Sequence, residues 1–476
     1  MDLSGCSRRK LLQKAGMGAG LLGLSGLLQD EGVLAEDSSD PLAPRDPHFP
    51  GTAKRVIWLF INGGPSHVDT WDYKPALERL DGKELEGFDR FTGFFAGSVG
   101  PLMKSPFKFA QHGESGKWVS EIFPNLSRHV DKMAFIHSGH TESNNHSPAL
   151  FMMNTGLPRM GYPCVGSWVT YGLGSESRDL PAFMVMSDPK GRGLPKGYSL
   201  NWGAGYLPSV YQGTWLKPTG APIDNLQRPQ DLSSAAQRRQ LDLLARLNRE
   251  HQERLHAEKD LTTRIESFEL AYRMQMAAPE ALDITQEPKH LQEEYGIGDD
   301  RCGHFAKQCL VARRMVERGV RFVQIYSGGM ENQRSWDGHN DIVGNHSGFA
   351  GETDRPIAGL LSDLESRGML QDTLVIWGGE FGRLPVAQKS AKPGRDHNPH
   401  AFTYWMAGGG IRGGTSYGET DEVGHKAAVN RVSVNDLHAT ILHLMGMNHE
   451  ELTYRHNGRD FRLTDVAGRV IKDIVS

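Results

Sequence analysis

The sequence predicts an α/β protein, a mostly parallel sheet sandwiched by helices with a helical insertion, and three observations lead there. Continuous apolar runs such as Arg55 to Ile61 (RVIWLFI) are closed by glycine-rich loops, the pattern of strands buried on both faces. In the second half of the chain such runs alternate with stretches of helical spacing. Polar residues able to carry chemistry gather just after the runs, where open α/β sheets hold their ligands.

At the start, Ser7-Arg8-Arg9-Lys10-Leu11-Leu12-Gln13-Lys14 precedes an apolar, glycine-rich stretch from Ala15 to Leu28. A basic segment followed by a moderately apolar one reads as a twin-arginine export signal over residues 1–35, cleaved near Ala35. The apolar stretch is about 14 residues, short of the roughly 20 that a membrane span needs. The expectation is a periplasmic or extracellular protein, handled by the twin-arginine translocase, with no stable membrane span after processing. Cys6 precedes the apolar run, so it cannot serve as a lipoprotein cysteine. Residues 36–52, rich in Asp, Pro and Gly, read as a linker, and residues 53–476 as the folded domain.

Within that domain the first strand, Arg55 to Ile61, ends in Asn62-Gly63-Gly64-Pro65. A helix-like stretch at Ser127 to Val130 leads to a strand at Met133 to His137, and Phe183 to Met186 gives another. Residues 227–290 form the insertion. Its polar helical region, Asp231 to Gln275, carries Leu241, Leu243, Leu244, Leu247 and Leu255 at helical spacing and is expected to pack one apolar face. Then follow helix Phe305 to Arg318, strand Arg321 to Tyr326, helix Pro356 to Arg367, strands Thr373 to Trp377 and Phe402 to Met406, and helix Asn435 to Met445. No period of 20–50 residues repeats, which excludes a solenoid.

Composition narrows the function. A net charge of -4 from 53 basic and 57 acidic residues, the basic ones scattered, offers no field for nucleic acid. Cys164, Cys302 and Cys309 are an odd, widely spread set that reads as buried free thiols, not a disulfide framework. Twenty histidines are many for 476 residues, and several stand in strand-end loops beside acids, which points to a metal cluster. Those at His251, His256 and His290 lie in the polar helical region and receive no role.

The candidate residues follow the strands. After the first come Ser66, a possible helix N-cap, and Asp69 and Asp72, carboxylates that could meet a cation or cap a turn. After Arg321 to Tyr326 comes Trp336-Asp337-Gly338-His339, an acid and an imidazole able to grip one metal, with His346 further on. After Thr373 to Trp377 stand Glu380 and Arg383; the guanidinium could hold a tetrahedral oxyanion bidentately or pair with Glu380. Next, Arg395-Asp396-His397-Asn398-Pro399-His400 supplies another acid and two histidines.

Taken together, GGPSHVDTWDYKP, SWDGH, GGEFGR with RDHNPH, VNDLHATILHLMG and HNGRDFRLTD resemble the family catalogued as domain of unknown function 1501, over nearly the whole chain. That family is grouped with the alkaline phosphatase and sulfatase superfamily, so the resemblance implies an alkaline-phosphatase-like fold. Sulfatase-like enzymes carry a Thr-Pro-Asn, helix, strand passage leading to a Cys or Ser nucleophile, with Thr-Gly nine residues beyond it. This chain is similar: Phe123-Pro124-Asn125-Leu126, then Met133 to His137, then His146-Ser147-Pro148-Ala149, then Thr155-Gly156. His146 holds the nucleophile position, Glu380 falls where a metal-binding Asp would stand, and Asn62 falls where the first strand normally ends in one. Formylglycine chemistry is excluded because no Cys stands at that position.

The resemblance implies a metal-dependent hydrolase of phosphate or sulfate esters, acting on a small-molecule or glycan ester. One or two divalent ions, zinc, calcium, magnesium or manganese, would be held by Asp69, Asp337, His339, Glu380, Asp396 and His397, with His146 and Arg383 catalytic. His146 is either a nucleophile or a ligand or general acid/base beside metal-activated water. The rival reading is an envelope protein that kept the fold, lost turnover and binds sulfated or phosphorylated glycans. Replacing Arg8 and Arg9 by Lys should hold the folded precursor in the cytoplasm, measured by fractionation; continued export would contradict the signal assignment.

Overall fold

The computed structural model describes residues 40–218, 222–223, 232–255 and 259–476, so the predicted export signal and residues 36–39 of the predicted linker lie outside the described residues. Among the described residues nine strands form the central sheet: β1 (Arg55–Ile61), β2 (Met133–His140), β3 (Phe183–Met186), β4 (Thr214–Leu216), β5 (Phe322–Ser327), β6 (Thr373–Gly378), β7 (Phe402–Ala407), β8 (Thr415–Tyr417) and β9 (Val432–Ser433). Their order is β8-β2-β7-β6-β1-β5-β3-β4, with β9 also paired to β2. Every pairing is parallel except those of β7, which runs against both β6 and β2. The sheet is therefore mostly parallel, as the sequence predicts, with one reversed strand near its middle.

Seven helices matter to the layers: α1 (His146–Thr155), α2 (Val165–Leu173), α3 (Ser234–Leu255), α4 (Lys259–Leu282), α5 (Gly303–Glu317), α6 (Ile342–Ser366) and α7 (Val434–Leu444). Side chains alternate across a strand, so β1 feeds two cores. Val56, Trp58 and Phe60 pack with Leu150 and Met153 of α1, Trp168 and Val169 of α2, and Ile441 of α7. Ile57, Leu59 and Ile61 pack on the other face with Phe305, Cys309 and Leu310 of α5 and Leu360, Leu361 and Leu364 of α6. A sheet covered on both faces explains why its strands read as unbroken apolar runs.

Several expected elements shift. Helix α6 begins at Ile342, not near Pro356, and Pro356 sits inside it. Glycines and a proline dilute its helical signal, but burial of Phe349, Ala350, Ile357 and Leu360 against the sheet outweighs their low propensity. The short helix-like stretch before β2 is a 3-10 helix, Leu126–Lys132. In the insertion, Leu243, Leu244 and Leu247 of α3 are 46%, 45% and 50% exposed, so the packed apolar face expected there is not formed by these leucines. Anchoring comes instead from the end of α4, where Ala278 and Ala281 enter the core and the Ala281 carbonyl accepts from Arg314 Nε at 2.9 Å.

Residues 40–52, predicted as part of a linker, have no regular element yet are tied down. Leu42 is buried, Arg45 N–H donates to the Leu173 carbonyl at 3.0 Å, and Phe49 N–H donates to Gly446 at 3.1 Å. Cys164, Cys302 and Cys309 are free and buried. No helix among the described residues is long and apolar enough to cross a membrane.

Beneath the C-terminal edge of β6, Trp377 stands edge-on to Trp71 at 5.6 Å and stacks on Trp405 at 6.3 Å. Trp336 stands edge-on to it at 6.2 Å. Trp377→Ala should cost about 3–5 kcal/mol by cavity formation, read as a lowered denaturant midpoint. A loss below about 1 kcal/mol would show that this aromatic layer does not support the sheet edge above it.

Candidate metal centre

The reversal of β7 builds the site. Strands β1, β2, β5 and β6 all end at one edge of the sheet, which brings there Asn62-Gly63, His146 at the first turn of α1, Asp337 to His339, and Glu380. Because β7 runs the other way, it begins at that same edge, with Phe402 paired to Gly139. The residues before it, Asp396 and His397, thus join the others. A short antiparallel ladder pairs Arg383 with His397 and Gly382 with Asn398, fixing the two segments to each other.

Asp337 is the centre of the cluster, 1% exposed. Its Oδ1 accepts from Arg383 Nη2 at 2.7 Å and lies 3.0 Å from His339 Nε2 and 3.2 Å from His397 Nε2. Its Oδ2 accepts from Asn332 N–H at 2.6 Å and lies 3.3 Å from His146 Nε2. Burial alone would raise its pKa, but the Arg383 charge, followed by His146, outweighs burial and holds the carboxyl well below the usual range.

The opposite ring nitrogen of each histidine faces an oxygen. His146 Nδ1 lies 2.7 Å from Glu380 Oε1, His339 Nδ1 lies 2.7 Å from Gln388 Oε1, and His397 Nδ1 lies 2.6 Å from the Asn144 carbonyl. A carbonyl only accepts, so the His397 proton sits on Nδ1 in the neutral ring. Neutral is its form: burial, the nearby His146 charge and Arg383 hold its pKa well below normal, despite Asp337. Its Nε2 lone pair then confronts a carboxylate oxygen, a repulsive arrangement unless a cation lies at that point. An imidazole with its far N–H fixed by an oxygen and its free nitrogen converging on a carboxylate is how proteins orient metal ligands.

His146 shows the same demand. Burial works against its charge, yet the two carboxylates beside it, Asp337 and Glu380, push its pKa up to about 9. The ring therefore carries a proton where a metal would supply positive charge. Its Nε2 is buried without a well-aligned hydrogen bond. Two sets place ligand atoms close enough to share an ion: His146, Asp337 and His397, and His339, Asp396 and His397. Imidazole and carboxylate donors in such sets suit zinc and also manganese.

Glu380 is in neither set. It accepts from Gly63 N–H at 3.0 and 3.2 Å and from His146, and so fixes the His146 ring. Gly63 and Gly64 adopt φ of +105° and +72°, and a Cβ on Gly64 would meet the Phe381 ring at 2.5 Å. That left-handed turn aims the Gly63 N–H at Glu380 and both glycine carbonyls at Arg383.

Beside Glu380, two more of the predicted site residues, Arg383 and Asp69, have their polar atoms committed to internal partners. Arg383 is fully buried, donating to the Gly63, Gly64 and Arg395 carbonyls and to Asp337, so it is a brace for Asp337 and not a clamp open to an oxyanion. Asp69 accepts from Arg395 Nε at 2.6 Å, Arg395 Nη2 at 3.1 Å and Ser66 Oγ at 2.5 Å, so its lone pairs are committed away from the cluster. Asp72 is likewise engaged with Thr420 and Lys74, and His346 Nε2 accepts from Ser66 N–H at 2.9 Å as a satisfied core histidine. Asn62 donates to the Gly329 carbonyl, with its Oδ1 buried and unpartnered. Sequence reasoning missed Asn144 and Gln388. A run of small polar residues ahead of His146 signals the helix cap at Asn145, but nothing marks Asn144 or Gln388 as partners of histidines.

The fold and site define an α/β protein with a buried histidine and carboxylate centre at the C-terminal edge of its sheet. The chain belongs to the family described as "Protein of unknown function (DUF1501)", whose model matches residues 53–475. No curated protein matches. Among solved structures it is similar to the lipoteichoic acid synthase LtaP from Listeria monocytogenes, at 9% identity over 89% of this chain and 78% of that chain, TM-score 0.32. It is also similar to alkaline phosphatase from the Antarctic bacterium TAB5, at 10% identity over 84% and 99% of the two chains, TM-score 0.33. Phosphonate monoester hydrolase SpPMH from Silicibacter pomeroyi matches at 11% identity over 87% and 77%, TM-score 0.35.

The Asp69–Arg395 pair is testable through stability. Burial opposes the Asp69 charge, but Arg395 and Ser66 hold its pKa below 3.8. Its contribution is present above that value and is lost as pH falls through the lower folded pKa. Asp69→Asn should lower stability by about 3–5 kcal/mol at pH 7 and flatten the acid limb below about pH 4, with metal content unchanged. Lost metal content in a folded variant would restore Asp69 to the ligand set.

Proposed function

We propose that this protein is an exported, metal-dependent hydrolase of phosphate or sulfate esters, acting on a small-molecule or glycan ester after passage through the twin-arginine translocase. The observation that carries the reading is His397: Nδ1–H on the Asn144 carbonyl at 2.6 Å, and Nε2 facing Asp337 Oδ1 at 3.2 Å. The donor set fits one or two divalent cations, drawn from Asp337, His146 and His397 and from His339, Asp396 and His397, with the single free nitrogen of His397 serving one of them. When bound, such ions supply Lewis acidity to the ester and lower the pKa of water.

The chain's own residues do the rest. Arg383 fixes Asp337; Glu380, Gln388 and Asn144 set the three imidazole planes. His146 reads better as a ligand or proton carrier than as a nucleophile, because its Nε2 is turned onto Asp337 and Nδ1 is held by Glu380. The second reading, an envelope protein that binds a sulfated or phosphorylated glycan without turnover, draws support from the commitment of Arg383 to internal carbonyls.

Elemental analysis of the purified protein, followed by assay against aryl phosphate, phosphonate and sulfate esters with added zinc, manganese, magnesium or calcium, tests both readings. The expected result is about one or two equivalents of metal and turnover lost in Asp337→Asn and His397→Ala. A metal-free chain with no ion-dependent rise in Tm would overturn the metal centre. Metal without turnover would favour the binding protein.

A further inference from the structure

Every residue of the two ligand sets is buried, and two surface cavities are lined elsewhere, around Asp354 and around Glu352. The cover is the segment Thr92-Gly93-Phe94-Phe95. Its contacts with the centre are few and specific. Asn144 Nδ2 donates to the carbonyls of Thr92 at 3.0 Å and Gly93 at 2.9 Å, and Phe95 N–H donates to Asp396 Oδ2 at 2.6 Å. The Phe95 ring stands edge-on to His339 at 4.9 Å, and the Phe94 ring lies 5.9 Å from His397. A Cβ on Gly93 would meet Asp396 Oδ2 at 2.4 Å, so only glycine lets the backbone lie this close. Outward, the two rings of the cover are loosely packed: Phe94 and Phe95 are 50% and 40% exposed.

We propose that Asn144 is a positioning residue that latches residues 92–95 as a lid over the centre. It acts on both sides at once. Its backbone carbonyl receives the His397 Nδ1–H, and its side-chain amide holds the lid, so the element that orients a ligand also closes the path to it. A segment held by two amide hydrogen bonds, one N–H to a carboxylate and partly exposed rings opens far more easily than the sheet beneath it. The role of the lid toward a bound ion rests on the proposed cation site; the latch itself does not.

The experiment uses the purified chain in two states. In metal-free protein, diethylpyrocarbonate labelling of His339 and His397 is followed by mass spectrometry, with exposed His290 as the internal control. In zinc-loaded protein, release of zinc to excess EDTA is timed. Asn144→Ala and Gly93→Ala should each raise labelling and zinc release by about tenfold, leaving His290 labelling unchanged. Asn144→Asp keeps the shape but replaces the amide donors by a carboxylate facing two carbonyls, so it should open the lid as far as alanine does. Asn144→Gln, which keeps the amide, should restore part of the protection. Unchanged labelling in all variants would overturn the latch. Raised labelling with unchanged zinc release would overturn closure of the ion's path. Failure of zinc to bind the wild type would remove the proposed function, while the labelling result still decides the latch.

Discussion

Asp337 is a carboxylate almost wholly removed from water, and the rest of the site follows from keeping it charged there. Burying one ionised carboxylate costs several kcal/mol unless partners repay it. Arg383 supplies one positive charge at 2.7 Å. Burying that guanidinium in turn requires acceptors, and the left-handed glycine turn after β1 provides two carbonyls. The same turn offers its N–H to Glu380, which orients His146. Removing any one of these parts leaves a polar group without a partner in a dry interior, so they stand or fall together.

Three imidazoles around one carboxylate raise a second requirement. The chain meets part of it with a proton on His146, whose pKa lies at about 9. Burial, reinforced by that charge, keeps His397 neutral. One proton does not satisfy three convergent nitrogens, and His146 Nε2 still lacks an aligned partner. A divalent cation would satisfy them, since its charge and its need for several donors match what the cluster offers. Topology gives these groups a common meeting point: four parallel strands deliver them from their C-terminal ends, and the reversed β7 delivers Asp396 and His397 from its N-terminal end.

Much of this was legible in the sequence for a physical reason. Strands buried on two faces leave unbroken apolar runs, so β1 and β3 stand at the bounds their composition predicts. Asp337 with His339, and Asp396 with His397, are local pairs in strand-end loops, and local spacing is what a sequence displays. Partner choice is not local. Two buried aspartates and two buried arginines could pair in either way, and only the fold assigns Arg383 to Asp337 and Arg395 to Asp69. The reversal of β7 was equally hidden, because an apolar run has no direction. Helix α6 was read short because its early glycines and Pro356 look like a boundary, and only packing against the sheet overrides them.

The central claim is that the three imidazoles and Asp337 surround a cation. Diffraction at the zinc absorption edge from crystals grown with zinc tests it most directly. The account predicts an anomalous peak beside Asp337, about 2.0–2.1 Å from Nε2 of His397 and of at least one other histidine of the cluster. A zinc-soaked crystal with no peak there, or with its ordered peak at another group of residues, would contradict it.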